Sequence, residues 1–162
     1  MKTLILIRHA KSSWDDPTLR DHERPLTGRG LRDAPVMGAR LAARSIRPDL
    51  IVSSTAVRAR ATAQAIADAL HYPASGIAVD ARLYDCAADD LIAVSGGLDD
   101  RCECVILVGH NPALTELAHR YASEITHMPT CAVAEFTVDT ASWRDIAQAR
   151  PVLVSFDYPK KT

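Results

Sequence analysis

A chain of 162 residues is one domain's worth, long enough to bury a sizeable core. Its 48% hydrophobic and 24% charged residues are ordinary globular values. The formal net charge of -1, with acids and bases interspersed, excludes the basic excess that a nucleic-acid footprint or a polybasic membrane anchor needs.

The first apolar run, Leu4 to Ile7, is cut off by Arg8 and His9, too soon for a signal-peptide core or a membrane span. A cytoplasmic location is therefore the expectation. Cys86, Cys102, Cys104 and Cys131 lack the two-residue gap of zinc ribbons and thioredoxin-type sites. They are expected to be reduced, partly buried residues with no metal or disulfide role.

Along the chain, apolar runs alternate with Ala-rich helical stretches. The first strand covers about Lys2 to Ile7 and ends in Arg8-His9; a polar loop, Lys11 to Pro25, follows. That loop carries Trp14, which reads equally well as a loop anchor or as a substrate contact. Thr27 can cap a helix whose apolar positions Leu31, Ala34, Met37 and Leu41 fall at helical spacing. Pro35 inside that pattern predicts a kink or a late start. Arg40, Arg44 and Arg47 read as a solvated face of the same helix.

A second strand, Asp49 to Val52, leads into Ser53-Ser54-Thr55-Ala56-Val57-Arg58, and a helix over Ala56 to Leu70 is closed by Tyr72-Pro73. A short strand at Ile77 to Val79 and a helix from Asp89 to Ser95, stopping at Gly96-Gly97, come next. The strand Val105 to Val108 runs into Gly109-His110. Asn111-Pro112 then predicts a helix with Asn as cap and Pro in its first position, reaching about Tyr121. Ala132 to Val138 and Val152 to Phe156 read as strands, and the stretch between them is too short for a crossover helix. No repeat or linker divides the chain. The expected fold is a single α/β domain over 1–162: a three-layer sandwich with a mostly parallel sheet of about six strands, one antiparallel, and helices on both faces.

Continuous apolar strands of this kind are buried in parallel sheets, and in open α/β sheets the ligand lies outside their carboxyl ends. Three runs therefore deliver Arg8, His9, Arg58 and His110 to one rim. A neutral imidazole nitrogen can attack phosphorus and form a phosphoramidate that water later cleaves. Arginines hold phosphate oxygens in a fork and spread the charge that develops during transfer. Arg58 also lies near a helix start, whose free N–H groups favour anions. Beyond Gly109, whose missing side chain permits close approach to a ligand, His110 can clamp a phosphate dianion or donate a proton to it.

Most histidines at loops are plain hydrogen-bonding residues. His22, His71, His119 and His127, which have no such company, take that reading. A metal site would want carboxylates or further histidines at short spacing, whereas the neighbours here are Arg8, Lys11 and Asn111.

Taken together, these segments resemble a known family. Leu6-Ile7-Arg8-His9-Ala10 resembles the Arg-His signature of the histidine phosphatase superfamily, which includes phosphoglycerate mutases and acid phosphatases. Arg24-Pro25-Leu26-Thr27-Gly28-Arg29-Gly30 is similar to its Leu-Thr-x-x-Gly segment. Ser53-Ser54-Thr55-Ala56-Val57-Arg58-Ala59, with Thr62 also in place, resembles its Ser-x-x-x-Arg-x-x-x-Thr element, and Val108-Gly109-His110-Asn111 its second catalytic histidine. Arg8-His9-Ala10-Lys11-Ser12-Ser13-Trp14 points to the small SixA-type phosphohistidine phosphatases.

The resemblance implies that His9 is the nucleophile and becomes transiently phosphorylated. Arg8, Arg58 and His110 complete the phosphate pocket, with no metal or organic cofactor. It implies a phosphorylated histidine-containing protein as partner, and nothing in the sequence marks an obligate interface, so a monomer is expected. One departure is informative. Where the mutase branch has a glutamate general acid, this chain reads Leu83-Tyr84-Asp85, leaving Asp85 as a candidate acid with shorter reach. Expelling an alkoxide needs strong proton donation, whereas imidazole, with a pKa of about 6.5, leaves readily. The brief connection between Ile77 and Val105 leaves little chain for a lid, and a small metabolite usually needs burial on most sides. A small-molecule phosphomonoesterase or mutase of the same superfamily is the alternative, and a non-catalytic phosphate-binding module a more remote one.

Overall fold

A computed structural model describes residues 1–162. In chain order it contains β1 (Lys2–Arg8), α1 (Gly28–Ala43), β2 (Leu50–Ser53), α2 (Val57–Ala69), β3 (Ala78–Val79), α3 (Ala88–Gly96), β4 (Cys104–Gly109), α4 (Ala113–Tyr121), β5 (Val133–Val138) and β6 (Pro151–Asp157). They form one six-stranded sheet in the order β3-β2-β4-β1-β5-β6. Pairings among β3, β2, β4 and β1 are parallel, while β5 is antiparallel to both β1 and β6. One strand thus opposes the other five, as the short connections at the end of the chain require.

The central strands are continuously apolar over Leu4–Ile7 and Val105–Val108 because both faces are covered there. Leu4, Leu6, Val105 and Leu107 enter a core with α3 and α4, while Ile5, Ile7, Ile106 and Val108 enter another with α1 and α2. All eight are fully buried. The result is the expected three-layer sandwich. No helix is long and apolar enough to cross a membrane. The four cysteines carry free thiols, Cys131 buried and the others half-buried.

Local departures from the sequence reading have physical causes. α1 starts directly after Thr27, whose Oγ1 accepts from the Gly30 N–H at 3.1 Å, so Pro35 delays nothing and sits on the exposed side. Leu31 is 62% exposed instead of joining the stripe. Gly30 takes the inward place in that turn, because a Cβ there would lie 2.3 Å from the Lys11 carbonyl oxygen. α4 begins one residue late, with Pro112 as its cap, although the Asn111 carboxamide oxygen still accepts from the Thr115 N–H at 3.2 Å. Arg40 and Arg44 are not a free solvated face. Arg40 bonds Asp157 and the Tyr158 and Pro159 carbonyls, and Arg44 pairs with Glu135. Arg47 stays exposed.

Candidate active site

The carboxyl ends of β1, β2 and β4 are tied to one another by main-chain bonds. The His9 N–H donates to the Gly109 carbonyl at 3.0 Å, and the Ser54 N–H to the Val108 carbonyl at 3.0 Å. These bonds fix the bases of His9, His110 and the Ser54–Arg58 turn on one rim.

His9 is 6% exposed. Its Nδ1–H donates to the Ala10 carbonyl at 2.7 Å, which leaves the lone pair of the neutral ring on Nε2. Arg58 Nε donates toward that Nε2 at 3.4 Å. A short relay steadies the pair: the Ala10 N–H donates to Thr62 Oγ1, and that hydroxyl donates to the Arg58 carbonyl at 2.8 Å. Burial, reinforced by the Arg58, Arg8 and Arg24 charges against the Ala10 bond, pushes the His9 pKa down to about 4.

The His110 ring centroid lies 5.1 Å from that of His9. Its Nε2 shares a 2.8 Å hydrogen bond with Ser54 Oγ. Burial, then its proximity to His9 and Arg58, pushes its pKa down to about 3. Arg8 anchors one terminal nitrogen on the Met128 carbonyl at 3.1 Å. Arg8 Nε and His110 Nδ1 are the only buried side-chain polar atoms in the protein without a partner. Buried polar atoms are normally satisfied, and both of these orphans belong to residues of this cluster. A lone-pair nitrogen beside guanidinium N–H donors can attack a phosphoryl group and hold its oxygens.

A second ring of groups surrounds these four. Tyr84 stands edge-on to His110 at 5.4 Å and to His22 at 4.8 Å, and His22 Nε2 shares a 2.7 Å bond with Thr55 Oγ1. Asp21 receives Arg58, Arg24 and the Tyr84 hydroxyl. Trp14, 71% exposed, lies with its ring 3.5 Å from the Arg24 guanidinium carbon.

Two buried neutral histidines make the fold acid-sensitive. Their pKa values are lowered from about 6.5, so below that pH the unfolded chain binds more protons than the native one. Stability is expected to fall by about 2 to 4 kcal/mol for the pair between pH 6.5 and pH 5, and to keep falling to about pH 4. Urea titrations across that range measure it, and a flat midpoint would contradict the buried neutral pair.

The model of the histidine phosphatase superfamily, branch 1, matches residues 4–92. The chain belongs to this superfamily. An uncharacterized protein of Mycobacterium tuberculosis is 34% identical to this histidine phosphatase over 95% of the chain and 100% of the relative. Among solved structures, a candidate phosphohistidine phosphatase SixA of Nakamurella multipartitia superposes with a TM-score of 0.83 at 27% identity, covering 99% of this chain and 97% of that one. A second candidate SixA, from Agrobacterium tumefaciens, gives 0.79 at 28% identity over 95% and 97%.

In this histidine phosphatase Arg8, His9, Arg58 and His110 come together. Asp85 does not join them by any hydrogen bond: it is exposed, with φ of 50°, and the side chain of that segment that reaches the cluster is Tyr84. His22 is not isolated, because it closes the ring row, whereas His119 donates locally to the Ile125 carbonyl and His71 and His127 are exposed. A Cβ at Gly109 would meet nothing nearer than 3.8 Å, so packing alone does not demand glycine there. Asp21, Arg24 and Tyr84 carried no assigned role in the sequence. The one available signal was the charge of Arg24 within the Leu-Thr-x-x-Gly segment. No group of three or more His, Cys, Asp or Glu side chains is arranged to hold a metal.

Proposed function

We propose that this phosphatase hydrolyses phosphohistidine on a protein partner through a covalent His9 intermediate. The carrying observation is the His9 ring: Nδ1 is pinned to the Ala10 carbonyl and Nε2 is turned, unprotonated, to Arg58. In the first step a P–N bond forms from Nε2 as the substrate's own P–N bond breaks, and the departing imidazole takes a proton from solvent. Water then attacks the phosphorylated His9, breaks that bond and releases phosphate. Arg8, Arg58 and His110 hold the three non-bridging oxygens. The scheme calls on no metal or organic cofactor.

Two features favour imidazole as leaving group. Asp85 is exposed and unattached, and Asp21 is held well below the usual carboxylate range, first by the Tyr84 hydroxyl and then by Arg58. Neither carboxyl is arranged to protonate an alkoxide. In addition, the segment between β3 and β4 buries Leu83, Ala88, Leu91 and Val94 in the core with α4, and Tyr84 is the side chain it sets beside the cluster. That arrangement suits a phosphorylated side chain presented on another protein's surface.

The test compares turnover of a phosphohistidine carrier protein with turnover of common phosphate monoesters. The carrier is expected to react at least about tenfold faster per unit kcat/KM. Faster esters would transfer the assignment to a small-molecule phosphatase or mutase.

A further inference from the structure

Asp21 lies in a single 3-10 turn, Asp21–Glu23, between β1 and α1, and is the one carboxylate bonded to the cluster. Arg58 gives both terminal nitrogens to it: Nη2 donates to Oδ2 at 3.0 Å and Nη1 to the Asp21 carbonyl at 2.6 Å. The Tyr84 hydroxyl donates to the same Oδ2 at 2.6 Å, and Arg24 Nε to Oδ1 at 3.2 Å. Arg24 is itself fixed by Ser12 Oγ and the Ser13 carbonyl. We propose that Asp21 is a positioning residue for phosphoryl transfer, which turns Arg58 Nε onto the reacting centre and matches the pocket's charge to a phosphoryl dianion.

The reasoning starts from guanidinium geometry. An unrestrained arginine meets phosphate with a two-nitrogen fork, the arrangement that binds a ground-state dianion best. Here the terminal nitrogens are occupied, so the N–H left facing His9 Nε2 is Nε. A single donor at the site of attack favours the transferring group over a tightly forked ground state. Charge points the same way. Arg8, Arg24 and Arg58 surround neutral imidazoles, and Asp21 offsets one of the three cations. Before any proton reaches His110, the remaining two charges equal those of a phosphoryl dianion. Without Asp21 the pocket would hold phosphate harder and release product more slowly.

This inference rests on His9 as nucleophile but not on a protein substrate, so phosphoramidate serves as donor. Asp21→Asn is expected to lower kcat at least about tenfold while inorganic phosphate inhibits as well as, or better than, in the native enzyme. A purely structural role would weaken both together. Asp21→Glu keeps the charge on a longer arm and is expected to restore native phosphate affinity with kcat between the other two. Native-like kcat in Asp21→Asn, or loss of phosphate affinity in step with kcat, overturns the proposal. Should Asp21→Asn fail to fold, Asp21→Glu decides: native-like kcat overturns the proposal, and a lowered kcat at native phosphate affinity sustains it. Phosphate affinity, read by calorimetry, is independent of turnover. If phosphoramidate proves not to be a substrate, weaker phosphate binding in Asp21→Asn still overturns the proposal.

Discussion

Replacing His9 by Ala is expected to abolish phosphoenzyme formation and to lower turnover by roughly four orders of magnitude or more. No other side chain in the cluster presents a neutral lone pair backed by a main-chain bond on its far nitrogen. His110, the nearest imidazole, has its Nε2 engaged with Ser54. Phosphate binding should partly survive, because the guanidinium donors are held by other bonds: Arg8 by Met128 and Arg58 by Asp21. The fold should survive too. Losing a buried ring and its two hydrogen bonds costs about 2 to 4 kcal/mol, within the reserve of a domain this size. Rapid quench with a labelled phosphoryl donor, followed by peptide mapping, measures the outcome. Label on another residue, or near-normal turnover, would remove His9 from the chemistry.

How far the site was legible follows from where its residues sit. Arg8, His9 and His110 end continuous apolar runs, and in an open parallel sheet the ligand lies outside the carboxyl ends of the strands, so their meeting could be read directly. Arg58 was readable because α2 starts within four residues of the end of β2. Asp21 and Arg24 were not. They lie in a polar loop that also holds Asp15 and Asp16, where no periodicity separates one carboxylate from another, and only the closure of the loop over α2 selects Asp21. Tyr84 lacks a sequence signal for a different reason. Its neighbour Asp85 carries the group that acid chemistry needs, but the left-handed backbone at Asp85 leaves the tyrosine, not the carboxyl, in contact with His110. The same division holds in the fold. That one of the last two strands is antiparallel followed from connection length, whereas which of them it is, and the partners of Arg40 117 to 119 residues away, belong to tertiary structure.

Removal of His110 is expected to cost about two to three orders of magnitude in kcat/KM, and the accompanying change in proton linkage identifies its role. Burial, then nearby His9 and Arg58, hold His110 neutral. A bound phosphoryl dianion reverses that field. An opposite charge within about 4 to 6 Å favours the protonated ring, so anion binding should draw a proton onto the imidazole that does not attack. Counted per dianion present, raising this pKa on binding makes the dianion bind more tightly as pH falls toward the raised value. Calorimetry in buffers of different ionisation enthalpy should then show proton uptake by the native protein and little or none by His110→Ala. Unchanged uptake in the variant would place the incoming proton elsewhere, on His9 or on the ligand itself. His110 would then be a neutral hydrogen-bond donor, a role that His110→Gln should partly restore and that a charged clamp would not share.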